Sequence, residues 1–111
     1  MSYPRYEIFK DNGGEFRFNL ISVNYKVILV SEGYDSKQAC QAGIASCREN
    51  SPKDERYQRK TSVNNKYYFN LTAANGHIIG SSEMYNDYAG RENGIAAVKR
   101  DGPIATVVDR S

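Results

Sequence analysis

Phe69 to Met84, FNLTAANGHIIGSSEM, and the run Asn93-Gly94-Ile95-Ala96-Ala97-Val98 that follows it decide the fold. Moved back by 51 positions, the chain reads Phe18-Asn19-Leu20, then Asn24, Val27-Ile28, Ser31-Glu32, Tyr34 and Gly43-Ile44-Ala45. No gap is needed from Arg5/Arg56 through Pro52/Pro103 to Arg59/Arg110, so the sequence is a duplicated supersecondary unit. It predicts a single domain over 1–111 built of two repeats, about 5–56 and 57–111.

Composition bounds what such a unit can be. A chain of 111 residues with 40% hydrophobic content supports one domain with a modest core. Each repeat alone lies near the lower limit for independent folding, so the halves are expected to share that core. The net charge of +2 is too mild to imply nucleic acid by itself. No apolar run approaches the roughly 20 residues of a membrane helix, and MSYPRYEIFKD lacks the regions of a secretory signal, which points to a cytoplasmic protein. Cys40 and Cys47 fall on one predicted helix, about 10 Å apart by helical rise and too far for a mutual disulfide. Both are expected reduced and buried. Their spacing, with no neighbouring His, does not match a zinc site.

Arg5 to Lys10 reads as a first strand, ended by the turn Asp11-Asn12-Gly13-Gly14, with Asn64-Asn65 at the same place in the second copy. Glu15 to Ile21 then alternates Phe16, Phe18, Leu20 with Arg17, Asn19, Ile21. Its copy alternates Tyr67, Phe69, Leu71 with Tyr68, Asn70, Thr72. A period of two over this length means one buried face and one that meets water or a partner. Turns at Asn24-Tyr25 and Asn75-Gly76 lead into third strands, Val27 to Ser31 and Ile78 to Ser82, completing a meander in each repeat.

After Tyr34 the period changes to about 3.6. A helix is predicted from Asp35 or Ser36, with Gln38 completing a capping box on Asp35, and its copy from Asn86 or Asp87. Cys40, Gly43, Ile44 and Cys47 make a narrow stripe facing the sheet. Gly43 and Gly94 sit mid-helix, where glycine costs about 1 kcal/mol relative to alanine, so close approach of helix to sheet is expected there. Pro52 and Pro103 stop the helices. Short strands follow at Glu55 to Lys60 and Ala105 to Arg110. Tyr57 to Lys60 aligns both with Tyr6 to Phe9 and with Val108 to Ser111, so one segment closes the first unit and opens the second.

Ala74-Asn75-Gly76, Ile78-Ile79, Ser81-Ser82-Glu83, Tyr85 and Asn93 to Lys99 together resemble the YegP-like family of small bacterial and archaeal proteins, a domain of unknown function often duplicated in tandem. The resemblance runs from about Tyr6 to Asp109 and includes the linker Ser51 to Tyr57. It implies an α+β fold: two β-β-β-α-β units joined in one antiparallel sheet by exchange of their C-terminal strands, with both helices on one face. Because single-repeat relatives supply the units from two chains, it implies a monomer that is a covalent pseudo-dimer. Val23-Asn24-Tyr25 and Cys47 depart from the family pattern in the first repeat. The resemblance brings no activity, cofactor or catalytic residue.

The residues advertise no catalytic machinery. His77 is the only histidine and stands in an exposed turn, where the other copy has Lys26, without an evident acid-base partner. Ser31-Glu32-Gly33-Tyr34 and Ser82-Glu83-Met84-Tyr85 form the best repeated polar cluster, yet they join strand to helix, where Ser and Glu ordinarily satisfy loose backbone donors. No phosphate loop and no nucleophile triad can be assembled. The chain therefore reads as non-catalytic and without cofactor or metal, a binding or structural module of unknown function.

With the helices on one face, Arg17, Asn19, Tyr68 and Asn70 point to the other and form the candidate binding face. Such a platform could stack bases beside cationic side chains, which makes weak single-stranded nucleic-acid binding the alternative function. The same alternation marks any half-exposed sheet. A protein partner on this face or on an edge strand is the other binding reading. Lys53 to Lys60 mixes signs and reads as a solvated, edge-protecting run.

Overall fold

The computed structural model describes residues 3–111. Met1 and Ser2, which the reading of the N-terminus takes in, lie outside the described residues. The first repeat contains β1 (Arg5–Lys10), β2 (Phe16–Ile21), β3 (Val27–Ser31) and α1 (Lys37–Asn50). A short 3-10 turn, Asp54–Arg56, leads into β4 (Tyr57–Thr61), β5 (Tyr67–Thr72), β6 (Ile78–Ser81), α2 (Tyr88–Asp101) and β7 (Thr106–Asp109). The four hairpins each hold one residue at positive φ: Gly14 and Tyr25 at 84° and 69°, Asn65 and Gly76 at 61° and 88°. Gly14 and Asn65 are repeat equivalents, as are Tyr25 and Gly76. Each pair thus keeps one turn geometry with glycine in only one copy, and Tyr25 occupies a conformation that costs a bulky side chain about 1–2 kcal/mol.

All seven strands form one sheet in the order β4-β5-β6-β3-β2-β1-β7. Its neighbours are antiparallel except β1 and β7, which run parallel in register Arg5↔Thr106 to Ile8↔Asp109. The wholly antiparallel sheet expected from the sequence is thus corrected to a mixed one. The reason is geometric: α2 ends beside the start of β1, where Gly102 meets Tyr6, so the chain can add to that edge only by running alongside β1. The crossing is one-sided. The segment after α1 becomes β4 and pairs with β5 in the second repeat.

The repeats meet at β3 and β6, where Val30 pairs with Ser81 and Ser31 with Gly80. Val30 and Ser81 are equivalents, so the pseudo-twofold axis passes between them. Leu29 and Gly80 are also equivalents, and a Cβ on Gly80 would lie 2.7 Å from the Val30 carbonyl oxygen and 3.0 Å from Leu29 Cγ. One leucine fills the axial space, and its counterpart has no side chain. Both helices cover one face, α1 over β2 and reaching β5 and β6, α2 over β5 and reaching β3. Beneath them Ile8 and the equivalent pairs Tyr6/Tyr57, Phe18/Phe69 and Leu20/Leu71 form one core with Ile44, Cys47, Ile95 and Val98. Each fully buried aromatic or aliphatic side chain stabilises this shared core by about 1.5–3 kcal/mol. Cys40 and Cys47 are free and buried, as expected.

Ser36 caps α1, its hydroxyl accepting from the Ala39 amide at 3.0 Å, and Asp87 caps α2, accepting from the Gly90 amide at 2.7 Å. The box expected between Asp35 and Gln38 is not the one formed, because the amide needing an acceptor belongs to Ala39, three residues beyond Ser36. The mid-helix glycines answer to a tyrosine. A Cβ on Gly43 would lie 2.6 Å from Tyr34 Cζ, and one on Gly94 2.7 Å from Tyr85 Cζ. Each tyrosine pairs its backbone with the start of β2 or β5 and slides its ring beneath the helix of its own repeat.

Candidate binding face

Strand alternation builds the face opposite the helices. Phe18 and Leu20 of β2, like Phe69 and Leu71 of β5, are buried under the helices, so Arg17, Asn19, Tyr68 and Asn70 emerge on the far side. Arg17 and Tyr68 are repeat equivalents, and so are Asn19 and Asn70. One row crosses every strand of the sheet in register: Val108, Glu7, Asn19, Val30, Ser81, Asn70, Gln58. Its centre is the Val30/Ser81 crossing. Val27 and Ile78, another equivalent pair, flank that centre and are 38% and 40% exposed, with Val30 37% exposed beside them. A shallow groove of about 350 Å³ runs here, with Arg17, Val27, Val30, Glu32, Ser81 and Glu83 among its lining. Arg17 thus reaches the groove, while Asn19 and Asn70 stand in the row that crosses it and Tyr68 stands farther out on β5.

The four residues are not equally available. Asn70 is only 6% exposed. Its Oδ1 accepts from Ser81 Oγ at 2.7 Å and its Nδ2 donates to Gln58 Oε1 at 3.3 Å, so it serves as a cross-strand link. Asn19 Oδ1, by contrast, is buried and has no hydrogen-bond partner. Where β6 offers Asn70 the hydroxyl of Ser81, β3 offers Asn19 the methyl groups of Val30. Arg17 donates to Asp11 Oδ2 at 2.7 Å and to the Ser31 carbonyl at 3.0 Å. That guanidinium, with the Glu15 amide, holds the Asp11 carboxyl below its usual range, and Asp11 in turn raises Arg17. The charge of Arg17 is therefore neutralised, and Glu32 and Glu83 add anionic groups at the groove. Tyr68 is half-buried. The face is mixed and partly apolar, without the cationic lining that tracks a phosphate backbone.

The repeated Ser-Glu cluster holds the fold. Ser31 Oγ accepts from the Phe18 amide at 2.8 Å and Ser82 Oγ from the Phe69 amide at 3.0 Å, while each hydroxyl donates to the next carbonyl. His77 lies exposed in its turn. Sequence reasoning missed Val27, Val30, Ile78 and Ser81. The signal was there: these positions stand in strands next to Asn19 and Asn70, and the equivalent pair Val27/Ile78 is apolar in both copies.

This architecture defines the class: a two-repeat α+β protein with a seven-stranded sheet, helices on one face and the other face open. The chain belongs to the family described as Domain of unknown function (DUF1508), which matches it twice, over residues 11–58 and 62–109. It is 51% identical over 106 residues to the UPF0339 protein YegP of Escherichia coli K12, with 96% of each chain covered. The solution NMR structure of yegP from E. coli superposes with a TM-score of 0.92 at 49% identity, covering 99% of this chain and 95% of that one. The solution NMR structure of UPF0339 protein SO3888 from Shewanella oneidensis gives 0.89 at 44% identity, covering 95% and 89%. These relatives are uncharacterised, and neither catalysis nor nucleic-acid binding is assigned by the family description or by these names. Among the described residues no helix is long and apolar enough to cross a membrane.

Proposed function

We propose that this chain is a non-catalytic interaction module that works as a single unit of two repeats, 5–56 and 57–111. It acts as a monomeric pseudo-dimer in the cytoplasm and holds a protein partner on the open sheet face. The observation carrying this reading is the exposed Val30 at the pseudo-twofold centre, with Val27 beside it in the groove and its equivalent Ile78 exposed on the other side of the axis. An apolar centre with a polar rim is the anatomy of a protein contact. Neutralisation of Arg17 by Asp11 supports a protein over a nucleic acid as the occupant.

The test places a photo-crosslinking amino acid at Val30 and, as control, at Ala45 on the exposed surface of α1, in cells expressing the full chain. A polypeptide adduct from Val30 and none from Ala45 is expected. The captured protein, purified, should bind the unmodified chain and lose that binding with Val30→Glu. Absence of any adduct from Val30, Val27 and Tyr68 would overturn the reading. So would salt-sensitive amide shifts at Arg17, Asn19, Tyr68 and Asn70 on titration with short single-stranded DNA or RNA.

A further inference from the structure

Duplication makes β1 and β4 equivalent strands, and the sheet treats them differently. The outer edge of β1 is covered by β7. The Thr106 amide donates to the Pro4 carbonyl at 3.3 Å and the Arg110 amide to the Ile8 carbonyl at 2.8 Å. Two ion pairs secure the strand, Lys37 with Asp109 at 2.8 Å and Glu7 with Arg110 at 3.2 Å. β4 lies at the opposite end of the sheet, and among the described residues no strand lies beyond it. Pro4 and Ile8 correspond to Glu55 and Arg59, so the pleat that aims the β1 carbonyls at β7 aims those of Glu55 and Arg59 away from β5. Gln58, Arg59, Lys60 and Thr61 are all exposed.

An open strand edge is a template for another strand, and its charges select which one. Residues 53–60, KDERYQRK, carry Lys53, Arg56, Arg59 and Lys60 against Asp54 and Glu55. Asp54 is already shared by Arg59 at 2.9 Å and Lys99 at 2.6 Å. A second copy of β4 brought alongside in antiparallel fashion would set cations against cations, which opposes self-pairing. The sense of charge is also reversed relative to β1. Where β1 presents Glu7 to Arg110, β4 presents the neutral Gln58, with Lys60 two residues on along the same face of the strand, while Arg56 in the preceding turn donates to Asn50 Oδ1 at 2.8 Å.

We propose that the outer edge of β4 is a binding site for an acidic extended peptide, which adds to the sheet parallel to β4 as β7 adds to β1. The peptide carries a carboxylate where β7 carries Arg110, and Lys60 receives it. This site is the outer edge of β4, away from the apolar centre of the open face, and stands independently of the function proposed for that centre.

The probe is a labelled synthetic peptide of residues 104–111, IATVVDRS, and its Arg110→Glu form, titrated into the full chain and read by amide chemical shifts and fluorescence anisotropy. The acidic form should bind about tenfold more tightly than the parent peptide at low salt. Shifts should centre on Gln58, Arg59, Lys60 and Thr61. Lys60→Glu should weaken the acidic peptide about tenfold and reverse the preference. Arg59→Pro should abolish binding by either form, because it removes an amide on the outward side while leaving the β4–β5 ladder in place. Equal binding of the two peptides, shifts on β1 from displacement of β7, or no binding at millimolar peptide would each overturn the proposal.

Discussion

The hydroxyl of Tyr6 donates a 2.6 Å hydrogen bond to the carbonyl oxygen of Gly102, joining the first strand of one repeat to the end of the other repeat's helix. Tyr57 makes the equivalent bond to the Ser51 carbonyl, also at 2.6 Å. The two helix ends meet as well: a Cβ on Gly102 would lie 2.7 Å from Ser51 Cβ. Arg48 and Lys99, again equivalents, stand 5.4 Å and 5.7 Å above the Tyr6 and Tyr57 rings. The helix termini, whose last carbonyls lack partners within the helix, are thereby satisfied from the sheet.

Tyr6→Phe and Tyr57→Phe each leave a buried carbonyl without its donor and keep the ring packing. Each should destabilise by about 1–3 kcal/mol in urea denaturation. Both substitutions should also raise amide exchange in the last turn of the helix concerned, α2 for Tyr6 and α1 for Tyr57. A loss below about 0.5 kcal/mol for both would mean that water replaces the tyrosines at no cost.

Gly43→Ala and Gly94→Ala decide between helix propensity and packing. Propensity alone predicts a gain of about 1 kcal/mol for each. The tyrosine rings under these positions reverse the sign, because the new methyl group overlaps Tyr34 or Tyr85, and a loss of about 1–3 kcal/mol is expected. Tyr34→Leu should remove most of the Gly43→Ala penalty in a double-mutant cycle, with a coupling of about 1 kcal/mol or more.

These two networks also mark how far the sequence can be read. The repeat, the alternation around Phe18 and Phe69 and the hairpin residues are local signals, and they predict strands, turns and core together. Tyr34 precedes Gly43 by nine residues, as Tyr85 precedes Gly94, so the pair was visible twice. What the pair does is a contact across a turn and a helix that spacing does not encode. Parallel pairing of β7 with β1 leaves no local trace either, because Val107 and Val108 suit either direction. At the N-terminus of α1, Asp35 and Ser36 are both good caps, and only the position of the Ala39 amide chooses Ser36. The difference between Asn19 and Asn70 was legible in Val30 and Ser81, yet it acquires meaning only once those residues are known to face each other across the axis.

Burial pushes the Cys47 thiol up to about 11, against a smaller opposing effect of the Tyr6 hydroxyl and Arg48. Burial likewise raises Tyr6 and Tyr57, which lie close enough for Cys47 to raise both further. All three groups hold their protons more firmly folded than unfolded. Their contribution to stability is complete below the unfolded thiol value near 9 and is lost as pH rises through the folded values. Urea stability should fall steadily from about pH 9 upward. Cys47→Val, which installs the residue that Val98 supplies in the other repeat, should move the onset of this fall to higher pH. It should also leave a single thiol, at Cys40, that a bulky reagent labels only as fast as the protein opens. Rapid labelling of native Cys40 and Cys47 at pH 8, or an alkaline limb unchanged by Cys47→Val, would contradict the assignment.

Val30→Ser and Ser81→Val exchange the two sides of the pseudo-twofold axis. Ser81 donates to Asn70 Oδ1, and Val30 leaves Asn19 Oδ1 without a donor. Serine at position 30 brings a hydroxyl to the Asn19 acceptor, about 0.5–1.5 kcal/mol, but gives up a valine that is 37% exposed and otherwise buried, a loss of about the same size. A net change of less than about 1 kcal/mol is expected. Valine at position 81 orphans the Asn70 carbonyl oxygen and should cost about 1–3 kcal/mol. Together the two substitutions separate stability from recognition. Val30→Ser should leave the melting temperature nearly unchanged while weakening capture through the open face, whereas Ser81→Val should lower the melting temperature. Equal and negligible effects of the two on melting would show that the Ser81–Asn70 link contributes nothing, and the asymmetry at the axis would then carry no energetic meaning.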